Sequence, residues 1–124
     1  MNRKTRRHYE ARARIMKALS HPTRLFIVDQ LYGRERCVRE LTEMVGDDVS
    51  TVSKHLAILE NAGIVAAEKR GAHVFYFLRI PCVMDFFSCA EKVLRTGAEE
   101  LARAAKSWRA GVQGPSLGAR AGRD

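Results

Sequence analysis

A chain of 124 residues, 46% of them hydrophobic, can build one domain with a modest core and is too apolar for a disordered polymer. Its 22 basic residues against 14 acidic ones leave a net charge of +8, a balance that favours a polyanionic partner. No apolar run approaches the ~18 residues of a membrane span, and no apolar stretch follows the basic start as in a signal peptide, so a cytoplasmic location and no membrane partner are expected.

The charge is concentrated at one end. Residues 1–24 hold eight cations (Arg3, Lys4, Arg6, Arg7, Arg12, Arg14, Lys17 and Arg24) and one acid, Glu10, for a net +7; the remainder carries +1. Residues 1–8 read as a basic arm, either simply solvated or adding contacts to phosphate. Ala11, Ile15, Ala18 and Leu19 give residues 9–19 helical spacing. Ser20-His21-Pro22 ends that helix and opens a second, because proline's missing N–H has no intrahelical partner in a first turn. Leu25, Val28 and Tyr32 form the second helix's stripe, widened by Phe26 and Ile27, and Gly33 stops it. Residues 35–38 read as a short extended link or strand. Residues 39–45 fit a two-turn helix with Leu41, Met44 and Val45 apolar. Gly46-Asp47-Asp48 is a tight turn, with Asp48 placed to cap a helix over 49–62 that Gly63 ends. Residues 64–69 and 73–80 read as strands joined by Arg70-Gly71-Ala72, and Val74–Leu78 is the strongest β run in the chain. A last helix is expected over 82–108. Four of the nine glycines lie from 111 onward, and residues 109–124 read as a flexible tail behind a 9–108 domain.

Short helix, glycine-containing turn, second helix and hairpin make a mainly α layout with a small β-hairpin wing, the winged helix-turn-helix arrangement. At about 100° per residue, Ser50, Ser53, Lys54, Ala57 and Asn61 share one face of the 49–62 helix. Val52, Leu56 and Leu59, joined by Val49, share the other. Small hydroxyls and one cation at the N-terminal end suit close approach to base edges in the major groove, and the helix dipole there favours phosphate. His55 sits at the edge between faces, placed either to reach a phosphate or to pack. Lys69 and Arg70 at the hairpin tip are placed to grip phosphate beside the groove.

Three stretches in order, Ala18-Leu19-Ser20-His21-Pro22-Thr23-Arg24, Ser50-Thr51-Val52-Ser53-Lys54-His55-Leu56 and Leu59-Glu60-Asn61-Ala62-Gly63-Ile64-Val65, resemble the arsenic-repressor (ArsR/SmtB) family of bacterial transcriptional regulators. The resemblance spans roughly residues 9–105. It implies a homodimeric repressor whose affinity for a double-stranded DNA operator falls when a thiophilic metal or metalloid, or a redox signal, acts on it. It also implies groove contacts from Val49, Ser50, Thr51, Ser53 and Lys54 and a wing over Lys69 to His73.

The last helix suits a dimer on its own evidence. Val83, Phe86, Phe87, Ala90, Val93, Leu94, Leu101, Ala104, Ala105 and Trp108 recur at three-four spacing, and a stripe of that length beside so small a domain calls for a partner. The expected partner is the same helix of a second subunit with the first helix beside it. Two-fold symmetry then sets the two reading helices about 34 Å apart on an inverted repeat.

Cys37, Cys82 and Cys89 are expected as reduced thiols, and an odd count without Cys-x-x-Cys excludes a zinc ribbon. Arsenic sensors of the family hold the metalloid on Cys-Val-Cys-Asp-Leu; here the stretch is Cys37-Val38-Arg39-Glu40-Leu41, so the second thiol is missing. The family's zinc site needs histidines that the last helix lacks. Cys82 and Cys89, seven residues apart, would stand about 10.5 Å apart along one helix, too far for sulfurs on a single ion. Either Cys82 precedes the helix or two subunits contribute. Because the strand before Pro81 commonly pairs with the stretch holding Cys37, Cys82 is expected near Cys37. A Cys37/Cys82/Cys89 site for a soft ion, arsenite favoured, is the expectation, with no obligatory cofactor. Thiol oxidation or polysulfide linkage is the alternative, and purely structural cysteines or a family member without a metal site another. No nucleophile elbow, zinc-protease or P-loop pattern occurs, and no enzyme is expected.

Overall fold

The structure, a computed structural model, describes residues 1–110. In chain order the elements are α1 (Arg3–Leu19), α2 (Pro22–Leu31), β1 (Arg36–Cys37), α3 (Val38–Val45), α4 (Val49–Asn61), β2 (Val65–Arg70), β3 (His73–Leu78) and α5 (Val83–Arg109). The chain divides into two units, one running to Met84 and one starting at Asp85. Most of the predicted tail lies outside the described residues.

The basic arm is helical. Asn2 caps α1 by accepting the Thr5 N–H at 2.8 Å, and the arginines and lysine behind it are good helix formers. Of α1's apolar positions only Ala18 and Leu19 are buried. In α2 the buried side chains are Ile27, Val28 and Leu31, while Leu25, Phe26 and Tyr32 stay exposed. An unbroken apolar run over 25–28 supports two neighbouring phases of the same period, and packing against α3, α4 and β3 selects the second.

Leu41 anchors α3, whose Glu40 reaches back to accept the Cys37 N–H at 3.0 Å. Gly46 ends it in the left-handed region (φ 81°). Val52, Leu56 and Leu59 of α4 are fully buried. Together with Ile27, Leu31, Leu41 and Ile64 they form the core of the first unit.

The sheet is antiparallel in the order β1-β3-β2. Arg36 opposes Tyr76 and Cys37 opposes Phe75; β2 runs against β3 from Val65↔Leu78 to Arg70↔His73. Gly71 (φ 62°) and Ala72 close the hairpin as a two-residue turn. In the second unit α5 is one continuous helix through Gly97. Phe86, Val93, Leu94, Leu101 and Trp108 are 51–73% exposed. Among the described residues no helix is long and apolar enough to cross a membrane.

Candidate nucleic-acid interface

Helix α4 is held by its apolar side and open on the other. Ser50, Ser53, Lys54, Ala57 and Asn61 are exposed, and Thr51 is half-buried. Val49 departs from the expected stripe: it is 56% exposed, because the first turn lies beyond the core that covers Val52. Its exposure places it with the hydroxyl residues.

The N-terminus of α4 is occupied. The Asp48 carboxylate accepts the Thr51 N–H at 2.8 Å, a bond that holds its carboxyl below the usual carboxylate range. With Asp47 alongside, this end is acidic, so the helix dipole is matched by protein carboxylate and not left for phosphate. Attraction to phosphate falls to Lys54 and the wing.

In the wing, Lys69, Arg70 and His73 are all exposed, and Arg70 is also ion-paired. Its guanidinium donates to Glu68 at 2.6 and 3.1 Å, donates to both oxygens of Glu35, and stands 4.9 Å from the Phe75 ring centroid. Those hydrogen bonds keep Arg70 charged at any accessible pH and hold the Glu35 carboxyl below its ordinary value. Arg70 therefore ties the hairpin to the strand before α3. Glu68, two residues away on the same strand face, is a partner that strand spacing reveals, whereas Glu35 lies 35 residues away in sequence, a contact no local spacing reveals.

A groove of about 490 Å³ brings the wing and the start of α4 together. Val49, Thr42 and Glu43 line one side and Ala72, His73 and Val74 the other, with Cys37 among its lining residues.

His55 is turned inward. Its Nδ1 lies 3.1 Å from Arg24 Nη1, and its ring centroid is 4.5 Å from that of His21. Arg24 also donates Nε–H to the Ala18 carbonyl at 2.6 Å, and so joins α1, α2 and α4. The sequence places Arg24 in the basic end and in the Ala18–Arg24 stretch of the family resemblance, and its contact with His55, 31 residues on, is one that no local spacing reveals.

Cys37 is half-buried, Cys82 and Cys89 are exposed, and no three His, Cys, Asp or Glu side chains gather as a metal site among the described residues. Beyond Phe75, opposite Cys37, β3 runs on for three residues to Leu78, about 10 Å. The Arg79 N–H then bonds the Ile64 carbonyl at 2.9 Å and extends the β2 side of the ladder before Cys82.

The sequence profile of the bacterial regulatory proteins of the arsR family matches residues 21–67, which contain α2, α3 and α4. The uncharacterized HTH-type transcriptional regulator Rv0081 of Mycobacterium tuberculosis is 34% identical over 104 residues, 83% of this chain and 91% of the relative. Its crystal structure matches with a TM-score of 0.68 over 76% of this chain and 95% of that one. The homodimeric winged helix-turn-helix DNA-binding domain Mb0332 of Mycobacterium bovis matches at 27% identity and TM-score 0.69, covering 80% and 92%. The transcriptional repressor BigR of Xylella fastidiosa matches at 29% and 0.62, covering 75% and 96%. With the open α4 face and the adjoining wing already in place, these likenesses settle the class: the chain belongs to the ArsR family of DNA-binding, winged helix-turn-helix transcriptional regulators and is not an enzyme.

Proposed function

We propose that this protein is a repressor that binds an inverted-repeat operator as a homodimer, with α4 entering the major groove. The observation that carries the reading is the exposed hydroxyl face of α4, opposite a fully buried Val52-Leu56-Leu59 stripe and next to the wing. Val49, Ser50, Thr51, Ser53 and Lys54 contact base edges and the phosphates beside them, and Lys69 and His73 grip the flanking backbone. The unpartnered stripe of α5 supports dimerisation on a second copy, with α1 beside it. The experiment is selection of a binding site from random duplexes, followed by binding measurements on that site and on a scrambled one. A selected inverted repeat whose preference is lost on Ser53→Ala with Lys54→Ala supports the reading; equal binding of every duplex overturns it.

Release is proposed to act through thiols. Because no soft-ion site gathers within one chain among the described residues, arsenite or a similar ion fits only where the thiols of two subunits combine. Oxidation or polysulfide linkage needs only accessible thiols, which the exposure of Cys82 and Cys89 supports. Single and triple Cys→Ser variants of Cys37, Cys82 and Cys89, challenged with arsenite and separately with a polysulfide, tell these apart. A triple variant still released by every inducer overturns both.

A further inference from the structure

A polar tie between helices holds α4 on the side away from Ser50, Ser53 and Lys54. Among the described residues, Arg24 to His55 is the one side-chain hydrogen bond joining α4 to another helix. The rest of α4's attachment is apolar packing, which resists separation but sets rotation and axial shift less sharply.

The hydrogen bonds dictate a protonation state. The Thr23 N–H donates to His21 Nδ1 at 3.1 Å and so caps α2. The Arg24 guanidinium can only donate, so His55 Nδ1 must accept. The His55 imidazole in this bond is therefore neutral with its proton on Nε2. A solvent proton added at its Nδ1 turns that acceptor into a donor and breaks the bond to Arg24, and leaves an imidazolium in contact with the His21 ring and the guanidinium. The charged groups facing His55 are His21 and Arg24 from the α2 side, which oppose protonation, and Asp47 from the turn before α4, which favours it. The element α1 contributes the Ala18 carbonyl, which anchors Arg24.

We propose that Arg24 and His55 are positioning residues that hold α4 in its DNA-reading pose only while the His55 imidazole is neutral, so that acidification itself weakens operator reading. The proposal rests on the reading of α4 as the recognition helix. Burial first, then the two neighbouring cationic groups, lower the proton affinity of His55 below the ordinary histidine value. The sign follows: the cluster's contribution is complete above about pH 6.5. It declines as pH falls from there toward the lower folded value, because only the unfolded or opened form takes the proton readily.

The test uses the full chain and compares its affinity for the selected operator with that for a scrambled duplex, from pH 7.5 to 5.5 at constant ionic strength, over the range in which circular dichroism stays native. The ratio matters because protonated histidines strengthen non-specific phosphate attraction. The ratio should fall about tenfold on acidification, within the usual span of allosteric couplings. His55→Gln, which keeps an acceptor for Arg24 without titrating, should hold the ratio near its pH 7.5 value throughout. Nitrogen-15 spectra of the unaltered protein give a readout independent of any variant: His55 Nδ1 unprotonated at pH 7.5, and taking up its proton over the range in which the ratio falls. A ratio that stays flat or rises, a His55→Gln profile that follows the unaltered protein, or a protonated Nδ1 at pH 7.5 overturns the proposal while leaving the α4 reading standing. A protein that prefers no duplex at pH 7.5 overturns both.

Discussion

Residues 1–84 and helix α5 meet the burial problem in opposite ways. The first unit encloses its large aliphatic side chains, with Ile27, Leu41, Val52, Leu56, Leu59 and Ile64 fully buried among α2, α3, α4 and the sheet. Helix α5 leaves Val93, Leu94, Leu101 and Trp108 at 67–73% exposure along one side. The lesson is that two kinds of apolar patterning serve two equilibria. Enclosed residues set whether the reading unit folds; the open stripe sets what the folded chain associates with.

The sharpest way to break this contrast is in the core. Leu56→Ala should destabilise the protein by about 2–5 kcal/mol, the cost of a cavity at a site that cannot collapse, read as a lower urea midpoint. An unchanged midpoint would mean that the first unit is not closed as described. Next comes Leu94→Glu with Leu101→Glu. Being on exposed positions, the pair should leave the midpoint of a dilute sample near its original value while shifting sedimentation from dimer to monomer. Operator affinity should fall about 100-fold as the second half-site contact is lost. A dimer that survives both charges sinks the division of labour. Ser53→Ala with Lys54→Ala sharpens the picture within α4: folding stays intact, and discrimination against the scrambled duplex drops by about 1–3 kcal/mol. The smallest effect belongs to the wing. Glu35→Gln loosens Arg70 for phosphate, so the slope of log affinity against log salt should steepen by about one at most, measured by anisotropy titration. No change would mean that Glu68 and Phe75 suffice to hold the guanidinium.

Much of the fold was legible because its signals are local. Pro22 in a first turn, Asp48 as a cap, and Gly46, Gly63 and Gly71 at positive φ mark boundaries that the structure reproduces to within a residue or two. The amphipathic split of α4 was equally plain, since one period of 3.6 separates Val52, Leu56 and Leu59 from Ser50, Ser53 and Lys54. The misreadings share a different cause. The α2 stripe slipped by a phase because its apolar residues are contiguous. Val49 was assigned to the core because helical angle ignores where the core ends. Arg70 was read as free for phosphate because its partner Glu35 comes from another part of the chain.

The sequence by itself determined the order of helices and strands, the polar and apolar faces of α4, and the family, since each depends on residues close together in the chain. Only the tertiary structure decided which cations are engaged in ion pairs and that His55 turns toward Arg24 and His21. The reason is geometric: hydrogen bonds and ion pairs act over a few ångströms, and which distant groups come within that range is set by how the elements pack, not by the spacing along any one of them.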